Sequence, residues 1–418
     1  MDLEEIIKEA ELVCNSKIKE IQETTKKNEL KVLSAFRNAG IDEYTVSFIG
    51  TGYGYNDKGR EALGKVFSLS FSSELAIVMP QIVSGTHAIF TVLFALLRPK
   101  DKILSITGPV YDTLKKVINS LAEWDISYQE IPFEYREDIE YIESKVDRPP
   151  KVIFIQRSCG YNWSRKSLTI KEIAQMISNI KNIFRESIIF VDNCYGEFVE
   201  DKEPIEAGAD IIVGSLIKGI GGNLAPTGAY IAGKRDVIEK VGDFITAPGQ
   251  GRDIGPTLGL QRDILQGLLL APHFIGESLI GLTISSYILE RLGFDVLPKW
   301  NEPRGDGVQR IILKDKGRLI KFLQGIQGFC PVNSMYKPEP QELPGYSDPV
   351  ILAGGGFVQG STGEFSADGI LTPPYVAFVQ GGYSHNQVIT GIISSIEKIF
   401  EEENEKTFKY YSNNSSCF

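Results

Sequence analysis

The chain has 418 residues, Lys+Arg 44 against Asp+Glu 54, a formal charge of -10 and a pI near 5.1. No Lys/Arg run exceeds two residues, which argues against nucleic-acid and anionic-membrane partners, because a phosphate backbone is held by clustered cations. Hydrophobic residues at 42% and charged residues at 23% exclude wholesale disorder, and at about 150 residues per domain the length allows two or three domains.

Residues 1–45 form an expected N-terminal helical segment, in which Ile6, Ile7, Ala10, Leu12 and Val13 recur at helical spacing between charges. Its first residues, Met1-Asp2-Leu3-Glu4-Glu5, are acidic where a leader peptide would be basic and then apolar. From about residue 75 short apolar runs alternate with amphipathic stretches. The runs are Leu75–Met79, Lys102–Ile106, Lys151–Ile155, Ile188–Val191 and Ile211–Val213; Thr86–Leu97 and Leu168–Phe184 are two of the helical stretches between them. Continuous apolar strands between helices are strands buried on both faces, hence a mostly parallel sheet in an α/β protein. Residues 227–233 add a strand after a glycine-rich loop, and a long helix spans roughly 257–292.

The second region, 293–418, carries strands at Val308–Leu313, Pro349–Leu352 and Tyr375–Val379 and helices at Lys316–Phe329 and His385–Glu403. It is expected as a smaller α+β domain joined by the N-terminal helix, beside a large domain over 46–292. The end, Tyr410–Phe418, is polar and expected to fray. Five scattered cysteines (Cys14, Cys159, Cys194, Cys330, Cys417) without a CxxC pair read as reduced cytosolic thiols. His87, His273 and His385 have no ligand-spaced neighbours, so no metal site is expected. The strongest apolar run, Ala88 to Leu97, is half a membrane span, and a cytoplasmic location is expected.

Ligands of open α/β sheets sit beyond the carboxyl ends of the strands, so the chemistry is sought there. Leu75–Met79 is followed by Ser84-Gly85-Thr86-His87 at a helix start, where backbone N–H groups and the Thr86 hydroxyl can hold a phosphate. Lys102–Ile106 is followed by Gly108-Pro109-Val110-Tyr111, Ile188–Val191 by Asp192, and Ile211–Val213 by Ser215-Leu216-Ile217-Lys218. A phosphate cup, an aromatic plate, a carboxylate and a lysine in this order fit pyridoxal phosphate. Singly, each is a common helix cap, turn residue or solvated lysine; the order and spacing favour the cofactor.

These residues resemble the pyridoxal-phosphate enzymes of the aspartate-aminotransferase fold (fold type I). Within that fold the chain is similar to the cystathionine lyase and methionine γ-lyase group, and more closely to the bacterial methionine γ-lyase-like proteins linked to aluminium resistance. The resemblance runs over nearly the whole chain, most specifically at Gly52–Asp57, Gly108–Thr113, Gly214–Gly222, Ile264–Leu268, Pro331–Ser334, Pro338–Pro340, Pro344–Tyr346, Phe357–Ser361 and Ser366–Asp368. It implies a carbon–sulfur lyase giving a thiol, a 2-oxo acid and ammonia. It makes Lys218 the cofactor-bonding lysine and base, and pairs Asp192 with the pyridine nitrogen. Tyr111 stacks on the ring and protonates the leaving sulfur, and Ser84, Gly85, Thr86 and Ser215 hold the phosphate. Tyr55 of a neighbouring subunit reaches the phosphate, which implies a homodimer or homotetramer.

Two positions depart from the pattern. The arginine expected two residues after the tyrosine is absent, Arg60 lying five residues beyond Tyr55, and no arginine follows Arg318 to bind the substrate carboxylate. Arg157, after the strand ending at Ile155, is either that clamp or a surface ion pair. Tyr195, three residues after Asp192, is either a partner of the ring's phenolic oxygen or core, and His87 either stacks or caps. Gly59–Val66 nearly spells a P-loop but has Val66 where Mg²⁺ needs a hydroxyl, and reads as helix. Gly219–Leu224 lacks the third dinucleotide-binding glycine, no Gly-x-Ser-x-Gly elbow occurs, and Cys159 has no histidine near it in sequence. The alternatives to a lyase are an aminotransferase, which differs only after α-proton removal, and a cofactor-binding sensor with little turnover.

Overall fold

The computed structural model describes residues 3–401; Cys417 and the rest of Tyr410–Phe418 lie outside the described residues. In chain order the elements are α1 (Leu3–Ala39), α2 (Glu43–Ser47), α3 (Lys58–Ser70), β1 (Leu75–Met79), α4 (Gly85–Leu96), β2 (Lys102–Ser105), α5 (Asp112–Leu121), β3 (Ser127–Glu130), α6 (Ile139–Lys145), β4 (Val152–Gln156) and α7 (Ile170–Ile183). There follow β5 (Ile188–Asp192), β6 (Ile211–Ser215), β7 (Ala229–Gly233), α8 (Arg235–Ile245), α9 (Gln261–Arg291), β8 (Asp295–Leu297), β9 (Val308–Ile312), α10 (Lys316–Gly328), β10 (Val350–Gly354), β11 (Ser366–Ile370), β12 (Val376–Gln380) and α11 (His385–Glu401).

Seven strands form the large sheet in the order β1-β7-β6-β5-β4-β2-β3, with β7 antiparallel to both neighbours and the pairs from β6 to β3 parallel. The central strands β4, β5 and β6 are apolar on both faces because helices cover both. One face packs Ile153, Ile155, Ile189, Val191 and Ile212 against α3, α7 and α9. The other packs Phe154, Phe190, Ile211 and Val213 against α4, α5 and α8. The α7 start is fixed by a capping box in which Thr169 and Glu172 satisfy each other's backbone N–H.

The five-stranded antiparallel sheet, β10-β11-β12-β9-β8, rests on α10, α11 and the later turns of α9. Three strands escape the sequence reading, each for a local reason. β3 (Ser-Tyr-Gln-Glu) is a polar edge strand, β8 has three residues, and β11 (Ser-Ala-Asp-Gly-Ile) is made largely of residues with poor strand propensity. A further correction concerns α1: its Ile6, Ala10, Cys14, Ile21, Val32 and Ala35 join the core on the large-sheet side instead of packing within the smaller unit.

Helix α9 is long and apolar enough to cross a bilayer, but it runs between α1, α11 and the turn after β6, where most of its apolar side chains are buried. That turn contains Gly219–Gly222. Gly222, at φ +55, and Gly221 pack backbone to backbone against Gly267 of α9, where a Cβ on any of the three would overlap its neighbour. Close packing, not pyrophosphate binding, is therefore what these glycines do. Gly59–Val66 lies inside α3, as its helical pattern predicts.

Candidate active site

Beyond the carboxyl ends of β4, β5 and β6 lies a cavity of about 200 Å³. The large sheet supplies Gln156, Asp192 and Ser215, the last residues of those three strands. Register explains their convergence, since Gln156 pairs with Asp192 and Asp192 with Val213, two residues before Ser215. The head of α4 enters from one side with Ser84, Gly85 and Thr86, and β11 and β12 close the top with Asp368, Phe378 and Gln380.

Lys218 Nζ donates to the Tyr195 hydroxyl at 2.7 Å. Burial works against the ammonium, but Tyr195, through charge and hydrogen bond, together with Cys194 and Asp368, holds it above its ordinary value. Tyr195 has φ +69, a left-handed conformation that an aromatic residue seldom adopts; Gly307 N–H fixes the turn by donating to its carbonyl at 2.9 Å. Asp192 Oδ1 accepts from Cys194 N–H at 3.2 Å, and burial raises the carboxyl above its usual range against the opposing pull of that bond and of Lys218.

Tyr111 and Thr86 share a hydroxyl hydrogen bond of 3.2 Å, and burial pushes the Tyr111 phenol well up. Ser84 caps α4 by accepting from His87 N–H at 3.0 Å, which leaves the Gly85 and Thr86 N–H groups at the helix head without intrahelical acceptors. Gly85 lets the α4 head approach the sheet closely, since a Cβ would sit tightly at 3.1 Å from Cys194 Sγ and 3.3 Å from Ser215 Cβ.

Ser84, Gly85, Thr86, Tyr111, Asp192, Tyr195, Ser215 and Lys218 thus line one cavity. Two expected residues do not line it. Arg157 is fully buried, with NH2 2.9 Å from Glu200, NH1 2.8 Å from Asn193 Oδ1 and 3.6 Å from Glu203, and its Nε bonded to the Leu168 carbonyl. Its charge is committed inside the protein, so its ion pairs are internal and Arg157 does not face the cavity. Tyr55 is 68% exposed, its ring 5.0 Å from that of Tyr53. The loop bearing both is clipped by Arg60, which donates to the carbonyls of Gly54 (2.5 Å), Gly255 (2.9 Å) and Asp253 (3.0 Å). His87 accepts from Val83 N–H at 3.2 Å, a local cap and no ring plate. Cys159 is buried, its thiol pushed up to about 12 chiefly by burial.

Sequence reasoning missed Gln156, Tyr161, Tyr346, Asp368 and Gln380. Gln156 could have been found as the last residue of a strand that pairs with Asp192. Tyr346 and Asp368 stood within stretches singled out above, but only the second sheet brings them over Lys218.

The model of the family described as methionine gamma-lyase matches residues 3–400. A Listeria monocytogenes protein, described as a candidate cystathionine beta-lyase involved in aluminium resistance, is 41% identical with a TM-score of 0.91 over 95% of this chain and 100% of that one. A Clostridium novyi carbon-sulfur lyase involved in aluminium resistance is 40% identical, with a TM-score of 0.89 over 95% and 96% of the two chains. At 16% identity the Escherichia coli pyridoxal-5'-phosphate-dependent protein YhfS shares the fold, with a TM-score of 0.61 over 90% and 97%. The match over the described chain settles the assignment: this protein belongs to the methionine gamma-lyase family.

Proposed function

We propose that the protein is a pyridoxal-phosphate-dependent carbon–sulfur lyase of sulfur-containing amino acids, working in the cytoplasm. The observation that carries this reading is the meeting of Lys218, Tyr195, Asp192, Tyr111 and the α4 head in one cavity, in a member of the methionine gamma-lyase family. The residues fit the cofactor. Asp192 is a buried carboxylate with no cation hydrogen-bonded to it among the described residues, which is what a pyridinium nitrogen requires. The α4 head offers free N–H groups with Thr86 and Ser215 beside them for a phosphate. Lys218 is the one amine of the cavity lining.

When bound, the cofactor supplies an electron sink for negative charge at the substrate α-carbon. The chain's residues do the proton work. Lys218 would hold the cofactor covalently and, once displaced, take the α-proton on Nζ, with the Tyr195 hydroxyl fixing its position. Tyr111, kept protonated by burial, would give the departing sulfur its proton. The balanced reaction takes one amino acid and one water to one thiol, one 2-oxo acid and one ammonium ion.

The exposed Tyr53–Tyr55 pair on its clipped loop supports a homodimer or homotetramer in which Tyr55 serves a neighbour's phosphate. The test is borohydride reduction of protein loaded with pyridoxal phosphate, followed by peptide mass mapping. A pyridoxyl adduct on Lys218 is expected; an adduct confined to other lysines, or none, overturns the assignment of this cavity.

A further inference from the structure

A second cavity, of about 230 Å³, shares no lining residue with the one described above. One wall is a face of α1, where Lys17, Glu20 and Ile21 follow one another at helical spacing. Opposite lie Glu200 and Asp201 from the segment after β5, and Arg304 from the segment between β8 and β9.

The charges of this cavity are matched, with one exception. Lys17 pairs with Glu20 at 2.9 Å, Asp201 with Lys27 at 3.0 Å, and Glu200 with Arg157 at 2.9 Å. Arg304 is only 7% exposed, and no acid is hydrogen-bonded to it among the described residues. Its Nη2 donates to Gln309 Oε1 at 2.6 Å, while Nε and Nη1 are buried without an acceptor. Burial lowers the guanidinium to about 10, against the pull of Asp306. Asp306 itself takes its hydrogen bonds from Ser158, Cys159 and Val308. A buried cation with unmade hydrogen bonds is costly, and an anion in the cavity would make them.

The cavity also holds the opposite demand. Arg157 and the Ile170 N–H both engage Glu200 Oε2, and Oε1 accepts no hydrogen bond among the described residues. Ile21, Val199, Leu279 and Pro303 add apolar surface. A guanidinium short of an acceptor, a carboxylate oxygen short of a donor and an apolar surface together match a zwitterion with an apolar substituent.

We infer that this cavity is a second binding site, for a free α-amino acid with an aliphatic side chain, whose carboxylate is held by Arg304 and whose ammonium is held by Glu200. The site goes beyond the lyase reading and stands without it.

Calorimetric titration tests it, on protein loaded with pyridoxal phosphate and reduced with borohydride so that the first cavity no longer takes up amines. Leucine and valine are compared with 4-methylpentanoate, which lacks the amine of leucine, and with 3-methylbutylamine, which lacks its carboxylate. The wild type should saturate with at least one of the two amino acids, and the two analogues should bind at least about tenfold more weakly. Arg304→Met should lose at least about tenfold in affinity and melt no lower than wild type, because a buried cation without an acid partner is weak support for the fold. Arg304→Lys should keep part of the affinity. Saturation by neither amino acid, an affinity unchanged in Arg304→Met, or an analogue that binds as tightly as leucine overturns the inference. Were Arg304→Met not to fold, the wild-type panel and Arg304→Lys still decide. Were reduction to leave Lys218 unmodified, the lyase reading would fail, and the same titrations on untreated protein would decide this site, since Arg304 lies outside the first cavity.

Discussion

Lys218 Nζ and the Tyr195 hydroxyl meet at 2.7 Å, and the contact exists because Tyr195 accepts a left-handed backbone at φ +69. A non-glycine residue held there costs on the order of 1–3 kcal/mol, which the Gly307 N–H bond and the surrounding fold offset. The hydroxyl fixes where the amine points. Tyr195→Phe, keeping the ring, should lower the rate of thiol release by roughly ten- to a hundredfold, the worth of one hydrogen bond to a charged group, while lysine attachment of the cofactor persists. Unchanged kcat in steady-state assays would show that the hydroxyl does no positioning.

Asp192 is buried at the end of β5, where its carboxylate accepts from Cys194 N–H. Asn in its place fills the same volume without the charge. Asp192→Asn should therefore weaken cofactor binding by roughly ten- to a hundredfold, measured by fluorescence titration of the cofactor-free protein, with little change in thermal stability. Equal cofactor affinity in both proteins would remove Asp192 from the site.

Arg157 makes the opposite prediction. Its guanidinium links Asn193, Glu200, Glu203 and the Leu168 carbonyl, and Gly196 lies flat against its side chain, where a Cβ would be 2.5 Å from Cδ. Removing one partner of a buried ion pair costs about 3–5 kcal/mol. Arg157→Leu should lose stability on that order in denaturant unfolding. A variant as stable as wild type but with a selectively raised KM would restore the carboxylate-clamp reading.

Glu197 gives a pH signature. Burial raises its carboxyl from 4.5 to about 8, with Glu203 adding to the rise and the Tyr230 hydroxyl, 2.9 Å away, opposing it. The folded state then binds more protons than the unfolded chain between those values, so this group's contribution falls as pH rises from about 4.5 through about 8. Glu197→Gln removes the titration, and unfolding free energies measured across that window should decline less steeply with pH in the variant. Identical slopes would mean that Glu197 is ionised in the folded protein.

The large sheet was legible because β4, β5 and β6 are apolar on both faces, and Asp192 and Ser215 stood out at the ends of β5 and β6; Gln156 was passed over because a polar residue closing β4 lies beyond its apolar run, which stops at Ile155. Lys218 and Asp192 could be paired by sequence alone because consecutive parallel strands bring their ends together. The upper wall was not legible. Tyr161, Tyr346 and Asp368 come from a loop after β4, a turn near Gly345 and the strand β11, and only tertiary packing unites them. Arg157 was misread because a charge one residue past a strand end looks solvent-facing, whereas Asn193, Glu200 and Glu203 wait for it inside.

The central claim is that this cavity splits carbon–sulfur bonds with Lys218 as the base. The most direct measurement follows thiol, 2-oxo acid and ammonia together, from S-substituted cysteines and homocysteines, in wild type and Lys218→Ala, both supplied with pyridoxal phosphate. The account predicts equal amounts of the three products from wild type and a loss of at least about 10²-fold in the variant. A variant that retains the wild-type rate, or a wild type that yields 2-oxo acid without thiol, would contradict it.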